Sequence, residues 1–322
     1  MRRYIAGRIA QAVVVLWAAF TLTFVILYLL PSDAVGIQLG AAGLDPDTMS
    51  PEELLAVKSR YGLDKSMIDQ YFSLLSGAVR GEWGLSISKQ APVSDLIAER
   101  LGGTLTLSVL AGLLAVIAGT ALAYLAAFVQ FKPVRILLDR LPAFGVAVPS
   151  FLIALILIQV FAFNLGWLPS QGSGGAEYLI LPVITMAIPT TAALAQVLTR
   201  SFNETLSEQY IVTARAKGLS RSAVQRKHAF RNAALPALTI FGLLVGVTVT
   251  SAIVTETVFN RNGIGKLAQE AVLAQDIPVV LAIVTLAAAA FVLVNLIVDL
   301  LYPLLDPRIA HTTKVRTKTK VS

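Results

Sequence analysis

Residues 104–129 read TLTLSVLAGLLAVIAGTALAYLAAFV, an unbroken run without one charged side chain. A helix needs about 20 apolar residues to cross a hydrocarbon core roughly 30 Å thick. Nothing in this run can satisfy a soluble surface, so it reads as a transmembrane helix. Five further stretches meet the same requirement, at 9–30, 141–163, 179–199, 233–255 and 279–301. The pattern predicts an all-α, polytopic membrane protein with six transmembrane helices.

Composition agrees. Of the 322 residues 56% are hydrophobic and 14% charged, where an ordinary soluble domain carries about 25% charged residues. The first stretch follows Arg2, Arg3 and Arg8 in the manner of a secretory signal. Its apolar run is longer than a signal core, and no small-x-small cleavage pattern follows near Pro31, so it reads as a retained helix. The uncharged region 141–176 holds one span and then a polar hairpin, because Asn164, Gly166, Pro169 and Gly172 to Gly175 are turn residues.

Orientation follows from the basic residues. With the N-terminus inside, the inner segments carry 18 Lys and Arg and the outer segments 8, while 14 of the 19 acidic residues fall outside. Both termini are therefore expected in the cytoplasm. The net charge of +7 is a matter of membrane topology and not of nucleic-acid binding.

In linear order the expectation is an N-terminal segment with the first helix (1–30), an external loop with short helices (31–103), a five-helix core (104–305) containing an inner loop at 200–232, and a basic tail (306–322). The external loop is too long for a connector. Ser50-Pro51-Glu52-Glu53 is a capping box with proline at the first helical position, and Gly62 is placed to close that helix. A second helix from Asp64 would carry Ile68, Tyr71, Leu75 and Val79 on one face. This loop is either a structured cap over the bundle or a docking surface.

The inner loop carries the most information. In Tyr210-Ile211-Val212-Thr213-Ala214-Arg215-Ala216-Lys217-Gly218-Leu219-Ser220, a short helix ending at Lys217 would use Gly218 as a left-handed cap. Ser220 or Ser222 could cap a second helix, Ser222 and Gln225 having capping-box spacing. Two readings stand. Small residues at Ala214, Ala216 and Gly218 suit a knob that enters a groove of a partner protein. Alternatively Arg215, Lys217, Arg221, Arg226 and Lys227 lay the helix on anionic lipid.

Within the spans, Ala111, Ala115, Gly119, Ala123 and Ala127 recur at four-residue spacing, a stripe for tight helix contact or a chance product of an alanine-rich segment. Pro149 and Pro189 are expected to kink their helices. Gln159, Gln196, Thr248, Ser251 and Asn295 are candidate pathway-lining groups; hydrogen bonding between helices would account for each equally well.

Several chemistries lack their residues. The chain has no cysteine and two histidines, His228 and His311, too few for a thiolate or zinc centre. Gly263-Ile264-Gly265-Lys266 lacks the upstream glycine and the following Ser or Thr of a P-loop. Gly84-Leu85-Ser86 has no histidine on its side of the membrane to serve a nucleophile. An ion-coupled carrier would place ionisable groups within the bilayer, where only Asp299 comes near, at the inner end of the last span, with Arg308 as a possible partner.

The inner loop also carries a family resemblance. Tyr210-x-x-Thr213-Ala214-Arg215-Ala216-Lys217-Gly218-Leu219-Ser220, followed by His228-x-x-Arg231-Asn232-Ala233-Ala234-Leu235-Pro236, resembles the signature loop of binding-protein-dependent ABC permeases. It is most similar to the dipeptide/oligopeptide/nickel branch, first-permease type. Val212-Thr213-Ala214 stands where the wider superfamily has Glu-Ala-Ala, and His228-Ala229-Phe230-Arg231 replaces Ile-x-Leu-Pro. Both departures are characteristic of the peptide branch. Gly81-Glu82-Trp83-Gly84-Leu85-Ser86, Gly166-Trp167-Leu168-Pro169, Glu256-Thr257-Val258-Phe259 and Leu305-Asp306-Pro307-Arg308 fit in order and spacing.

The resemblance implies the type I ABC importer permease fold in a prokaryotic plasma membrane. It implies that Tyr210, Thr213, Ala214, Arg215, Ala216, Lys217 and Gly218 form an ATPase-coupling loop. The chain itself would be no enzyme and bind no cofactor. ATP and Mg would be held by two ATPase subunits, beside a homologous second permease and an extracytoplasmic solute-binding protein. The cargo implied is a di- or oligopeptide; nickel complexes, glutathione and related solutes are the alternatives.

Overall fold

The structure is a computed structural model that describes residues 2–29, 48–61 and 64–305, with isolated positions between 36 and 45. Its contacts divide the chain into two compact units, Met1–Thr106 with Asn260–Val292 and Leu107–Phe259 with Leu293–Ser322. Among the described residues, four helices are long and apolar enough to cross a membrane: α1 (Arg2–Tyr28), α4 (Val93–Phe128), α7 (Glu177–Leu206) and α12 (Ile277–Leu305). A bent pair, α5 (Lys132–Ala147) and α6 (Ser150–Leu157, continued as a π-helical turn Ile158–Asn164), makes a fifth if it is counted as one span. The expected span at 233–255 lies within α10 (Phe230–Val258), many of whose side chains fall outside the described residues.

The third predicted span needs correction. It was expected as a single helix over 141–163, kinked at Pro149. The two helices instead meet at 102°. A residue preceding proline is driven out of the α region by the pyrrolidine ring, and Val148 is extended at φ −85°, ψ 123°. With no amide hydrogen on Pro149 to bridge the step, the helix stops and restarts. Pro189, by contrast, sits inside an uninterrupted α7.

In the first unit, the external segment forms α2 (Pro51–Arg60) and α3 (Met67–Arg80). The capping box at Ser50 is present in both directions: the Ser50 amide donates to Glu53 Oε2 (2.9 Å) and the Glu53 amide to Ser50 Oγ (3.3 Å). The Ser50 amide foremost, and the Ser50 hydroxyl after it, favour the ionised Glu53 carboxyl and hold it below its ordinary value. The reciprocal cap is thus complete at neutral pH and is lost as pH falls through that lowered value. The expected helix stop at Gly62 lies outside the described residues. The start of α3 is set by Ser66, and its end by Gly81 at φ +80°. Its four marked apolar residues share one face but are not all covered. Tyr71 and Leu75 pack inward, whereas Ile68 and Val79 are 67% and 83% exposed.

A two-stranded ribbon follows, β1 (Leu85–Ser86) antiparallel to β2 (Ala91–Pro92), with Leu85 opposite Pro92. One buried carboxylate fastens it. Asp276, fully buried at the turn between α11 (Ile264–Leu273) and α12, accepts at one oxygen from Ser86 Oγ (2.6 Å), Ser88 Oγ (2.7 Å) and the Ser88 amide (3.1 Å). Its other oxygen has no hydrogen-bond partner among the described residues. Around this latch Phe20, Phe24, Val93, Leu267 and Leu281 form the apolar core of the unit.

In the second unit, α7 is the central helix. The small-residue stripe of α4 turns toward it: Ala111, Ala115, Ala123 and Ala127 are buried, and a Cβ on Gly119 would lie 3.1 Å from the Thr191 carbonyl of α7. Gly145 of α5 meets the same helix still more closely, because a Cβ there would lie 2.7 Å from Ala192 Cβ. Two predictions follow from these contacts. Gly145→Leu should destabilise the bundle by about 1–3 kcal/mol through overpacking, read as earlier thermal aggregation of detergent-solubilised protein. Asp276→Ala removes a charged acceptor from three donors and should cost about 2–4 kcal/mol, seen as preferential proteolysis at the ribbon.

Candidate functional site

The inner loop is built by short-range rules. Helix α8 (Gln209–Ala216) begins after extended Glu208. At its far end the Gly218 amide donates to the Arg215 carbonyl (2.9 Å) and the Leu219 amide to the Ala214 carbonyl (3.4 Å), the paired bonds of a Schellman stop. That stop needs a left-handed residue, and Gly218 has φ +80°. Ser220 then caps the next turn, its Oγ accepting from the Ala223 amide (3.3 Å). The chain runs through α9 (Arg221–Ala223) and a π-helical turn, Val224–Ala229, into α10.

Helix α8 is held by two side chains. Ile211 and Ala214, three residues apart, are its buried positions and pack with Phe202, Val224 and Ala229. Ala214 therefore faces this chain's own core and not outward as the small-residue knob required. The exposed surface is made instead by Tyr210, Val212, Thr213, Arg215, Ala216, Lys217, Gly218 and Leu219. Tyr210 ties the two limbs of the loop together: its hydroxyl donates to the His228 carbonyl (3.4 Å) and accepts from Asn232 Nδ2 (2.8 Å).

Two side chains that the sequence did not single out for this role bind the loop to the end of α4. Arg221 Nη2 donates to the Ala127 carbonyl (3.0 Å), with its guanidinium carbon 5.6 Å from the centre of the Phe128 ring. Gln225 Nε2 donates to the Tyr124 carbonyl (3.0 Å) from a fully buried position. The Ala127 carbonyl lies in the last turn, where intrahelical donors run out and the helix carries its negative pole. The Tyr124 carbonyl, one turn back, takes the Gln225 amide at its second lone pair. A guanidinium and an amide are well matched to them. Arg221 is thus engaged by protein, against the lipid-binding reading, and Gln225 is spent on α4 and not on a capping box with Ser222. The signal that could have found both is their four-residue spacing, which puts Arg221 and Gln225 on one side of the segment after the stop.

The candidate pathway residues are scattered. Gln196 lines an open groove of about 380 Å³ with Asp139, Pro142, Thr199, Arg200, Asn203 and Glu204. Gln159 Nε2 donates to Asn164 Oδ1 (3.0 Å) within the π-helical turn after α6. Thr248 Oγ1 donates to the Leu244 carbonyl of its own helix (2.9 Å), and Ser251 and Asn295 are half-buried. The groove thus holds one of the five. Asp299 lies in α12, but its side chain and all of Arg308 fall outside the described residues, as does the basic tail at 306–322.

Long apolar helices joined by a glycine-closed loop are the build of a membrane protein. Residues 119–311 match the family described as binding-protein-dependent transport system inner membrane component, and residues 1–108 match the N-terminal part of such membrane components. The glutathione transport system permease protein GsiC of Escherichia coli strain K12 is 36% identical over 311 residues, spanning 97% of this chain and 100% of its own length. GsiC of Shigella dysenteriae serotype 1 is similar to the same extent, and that of Shigella boydii serotype 4 is 35% identical over the same span. The chain belongs to the family of binding-protein-dependent inner-membrane permeases, the ABC-importer components that its inner loop resembles. Its family role is that of a membrane permease and not of a catalyst.

The anchoring of the loop can be measured without reference to transport. Arg221→Ala removes one hydrogen bond and one cation–π contact, together about 1–2 kcal/mol. Amide hydrogen exchange across 209–223 should rise about tenfold, while exchange in α1 stays unchanged.

Proposed function

We propose that this chain is one of two homologous permease halves of an ATP-driven importer that carries short peptides inward, tripeptides such as glutathione included. Six spans are formed by α1, α4, the bent α5–α6 pair, α7, α10 and α12, with both termini in the cytoplasm as the distribution of basic residues requires. The loop at 209–220 is then cytoplasmic. There it docks on one of two ATPase subunits, which bind ATP and Mg, while an extracytoplasmic binding protein delivers the cargo. The relatives' names favour glutathione among the possible cargoes, and the resemblance of the loop favours peptides. Glutathione, being a tripeptide, satisfies both.

The observation that carries this reading is the loop's construction. Helix α8 leaves most of its circumference free for a partner, yet the segment that follows it is tied to the C-terminal carbonyls of α4 by Arg221 and Gln225. A body that grips α8 therefore pulls on a long helix of the bundle. Phe202, edge-on to Tyr124 and tilted against Phe230 with ring centres 6.4 and 6.1 Å away, gives the same connection an apolar filling.

The test uses the whole transporter, co-expressed with candidate ATPases, second permease and binding protein. Beyond its chain neighbours no atom lies within 4 Å of a Cβ placed on Gly218, so a large side chain there meets no packed group of this chain, although at φ +80° it also strains the Schellman stop. Gly218→Trp should reduce ATP-driven uptake of labelled glutathione or dipeptide at least tenfold. Gly218→Asn, which tolerates the left-handed region, should keep most of it. Full uptake with the tryptophan variant would reject the docking role. Uptake driven by an ion gradient in vesicles containing this chain alone would identify a secondary carrier instead.

A further inference from the structure

We propose that α3 is seated in the lipid bilayer, with Ile68, Phe72 and Val79 in contact with acyl chains beside the C-terminal half of α1. The helix divides into three longitudinal sectors. Tyr71, Leu74, Leu75 and Ala78 pack on the core of the first unit. Asp69, Ser73, Ser76 and Arg80 form an exposed polar sector. Between the two lies a strip with Ile68 67%, Phe72 61% and Val79 83% exposed. At 100° per residue these three fall within about 40° of one another around the helix, bordering Leu75 on one side and Ser76 on the other. A water-facing helix has no use for such a strip. A helix lying at a membrane boundary requires one, with charged and hydroxyl groups on the opposite side.

The depth at which α3 meets α1 selects lipid as the occupant. The Tyr71 hydroxyl is 2.8 Å from Thr21 Oγ1 and accepts from Trp17 Nε1 at 3.1 Å. Its ring lies edge-on to Phe20 and Phe24. Thr21 precedes the end of α1, Tyr28, by seven residues, about 10 Å of helix rise. The apolar part of α1, Gly7–Tyr28, is 22 residues long, which nearly equals a hydrocarbon core of about 30 Å. The Tyr71 contact is therefore inside the apolar slab, at the depth to which interfacial helices sink their apolar faces, about 5–10 Å. Trp17, Leu22 and Ile26 of α1 are themselves exposed, at 53%, 62% and 62%, so the strip continues a surface that already faces lipid. The proposal needs only that α1 crosses the membrane and holds whichever cargo the permease carries.

The absence of native cysteine makes the test direct. Single substitutions Ile68→Cys, Phe72→Cys and Val79→Cys, and for comparison Asp69→Cys, Ser73→Cys and Ser76→Cys, are labelled with an environment-sensitive fluorophore in the assembled transporter. The protein is reconstituted in phosphatidylethanolamine–phosphatidylglycerol vesicles, and the unsubstituted chain gives the background. A nitroxide carried at a shallow acyl position should quench the first three at least threefold more strongly than aqueous iodide, with the preference reversed at the other three. Two of the three strip positions suffice should one variant fail to assemble. Iodide quenching dominant at the strip would place it in water and overturn the proposal. Protection of the strip from both quenchers would place another protein or a second copy of the chain there, and would overturn it equally.

Discussion

A hydrocarbon interior offers no water to a backbone amide or carbonyl, so each such group near it must find a partner within the protein. Most of this chain answers with continuous helix. Where the helix must end or change course, side chains complete the pairing. Thr185 Oγ1 donates to the Leu181 carbonyl in the stretch before Pro189 (2.9 Å), and Thr190 Oγ1 to the Met186 carbonyl (3.4 Å). Both are side-chain bonds to a carbonyl one turn back in the same helix; the carbonyl that Pro189 deprives of its amide donor is that of Thr185. The same constraint explains why the break at Pro149 is abrupt and short: Leu152 and Ile153 donate to the Pro149 carbonyl at 3.0 and 3.2 Å, restarting the ladder at once.

The end of α4 is where that requirement becomes mechanical. The Ala127 carbonyl in its last turn could have been left to solvent at the membrane surface. It is taken by Arg221, and the Tyr124 carbonyl one turn back by Gln225; both side chains belong to the loop a partner would grip. Hydrogen bonds of this kind are directional, and the buried amide of Gln225 would lose its carbonyl partner if the loop slid along α4. Loop and helix end must therefore move together or part at a cost of a few kcal/mol, roughly the scale on which ligand-driven conformational equilibria are shifted. The small-residue stripe carries the constraint further, since α4 lies so close to α7 at Gly119 that neither can shift alone.

What the sequence revealed and what it hid divide along a physical line. The Schellman glycine at 218, the capping box at Ser50 and the stripe from Ala111 to Ala127 are local patterns, and each appears in the structure where it was expected. Apolar run length marked the long helices but not the break in the third predicted span. The bend after Val148 was underestimated because proline's effect depends on where it falls: Pro149 caps the start of a new helix, whereas Pro189 sits inside an uninterrupted α7. The inward turn of Ala214 was missed because residue size was read without helix phase; Ile211, one turn earlier, fixes that phase. Asp276 gave no signal at all. A lone aspartate before an apolar helix reads as a cap, and its true partners, Ser86 and Ser88, lie some 190 residues away in sequence.

The segments outside the membrane follow from the same accounting. A ribbon of two short strands has too little pairing to persist alone, and the fully buried carboxylate that secures it would be costly without donors. Each makes the other tolerable: the serines of the ribbon solvate Asp276, and Asp276 gives the ribbon one fixed position against the α11–α12 turn. Apolar packing could hold the ribbon as tightly but would let it slide, because dispersion contacts have little directional preference. Three donors converging on one oxygen give the ribbon a set position that apolar packing alone would not.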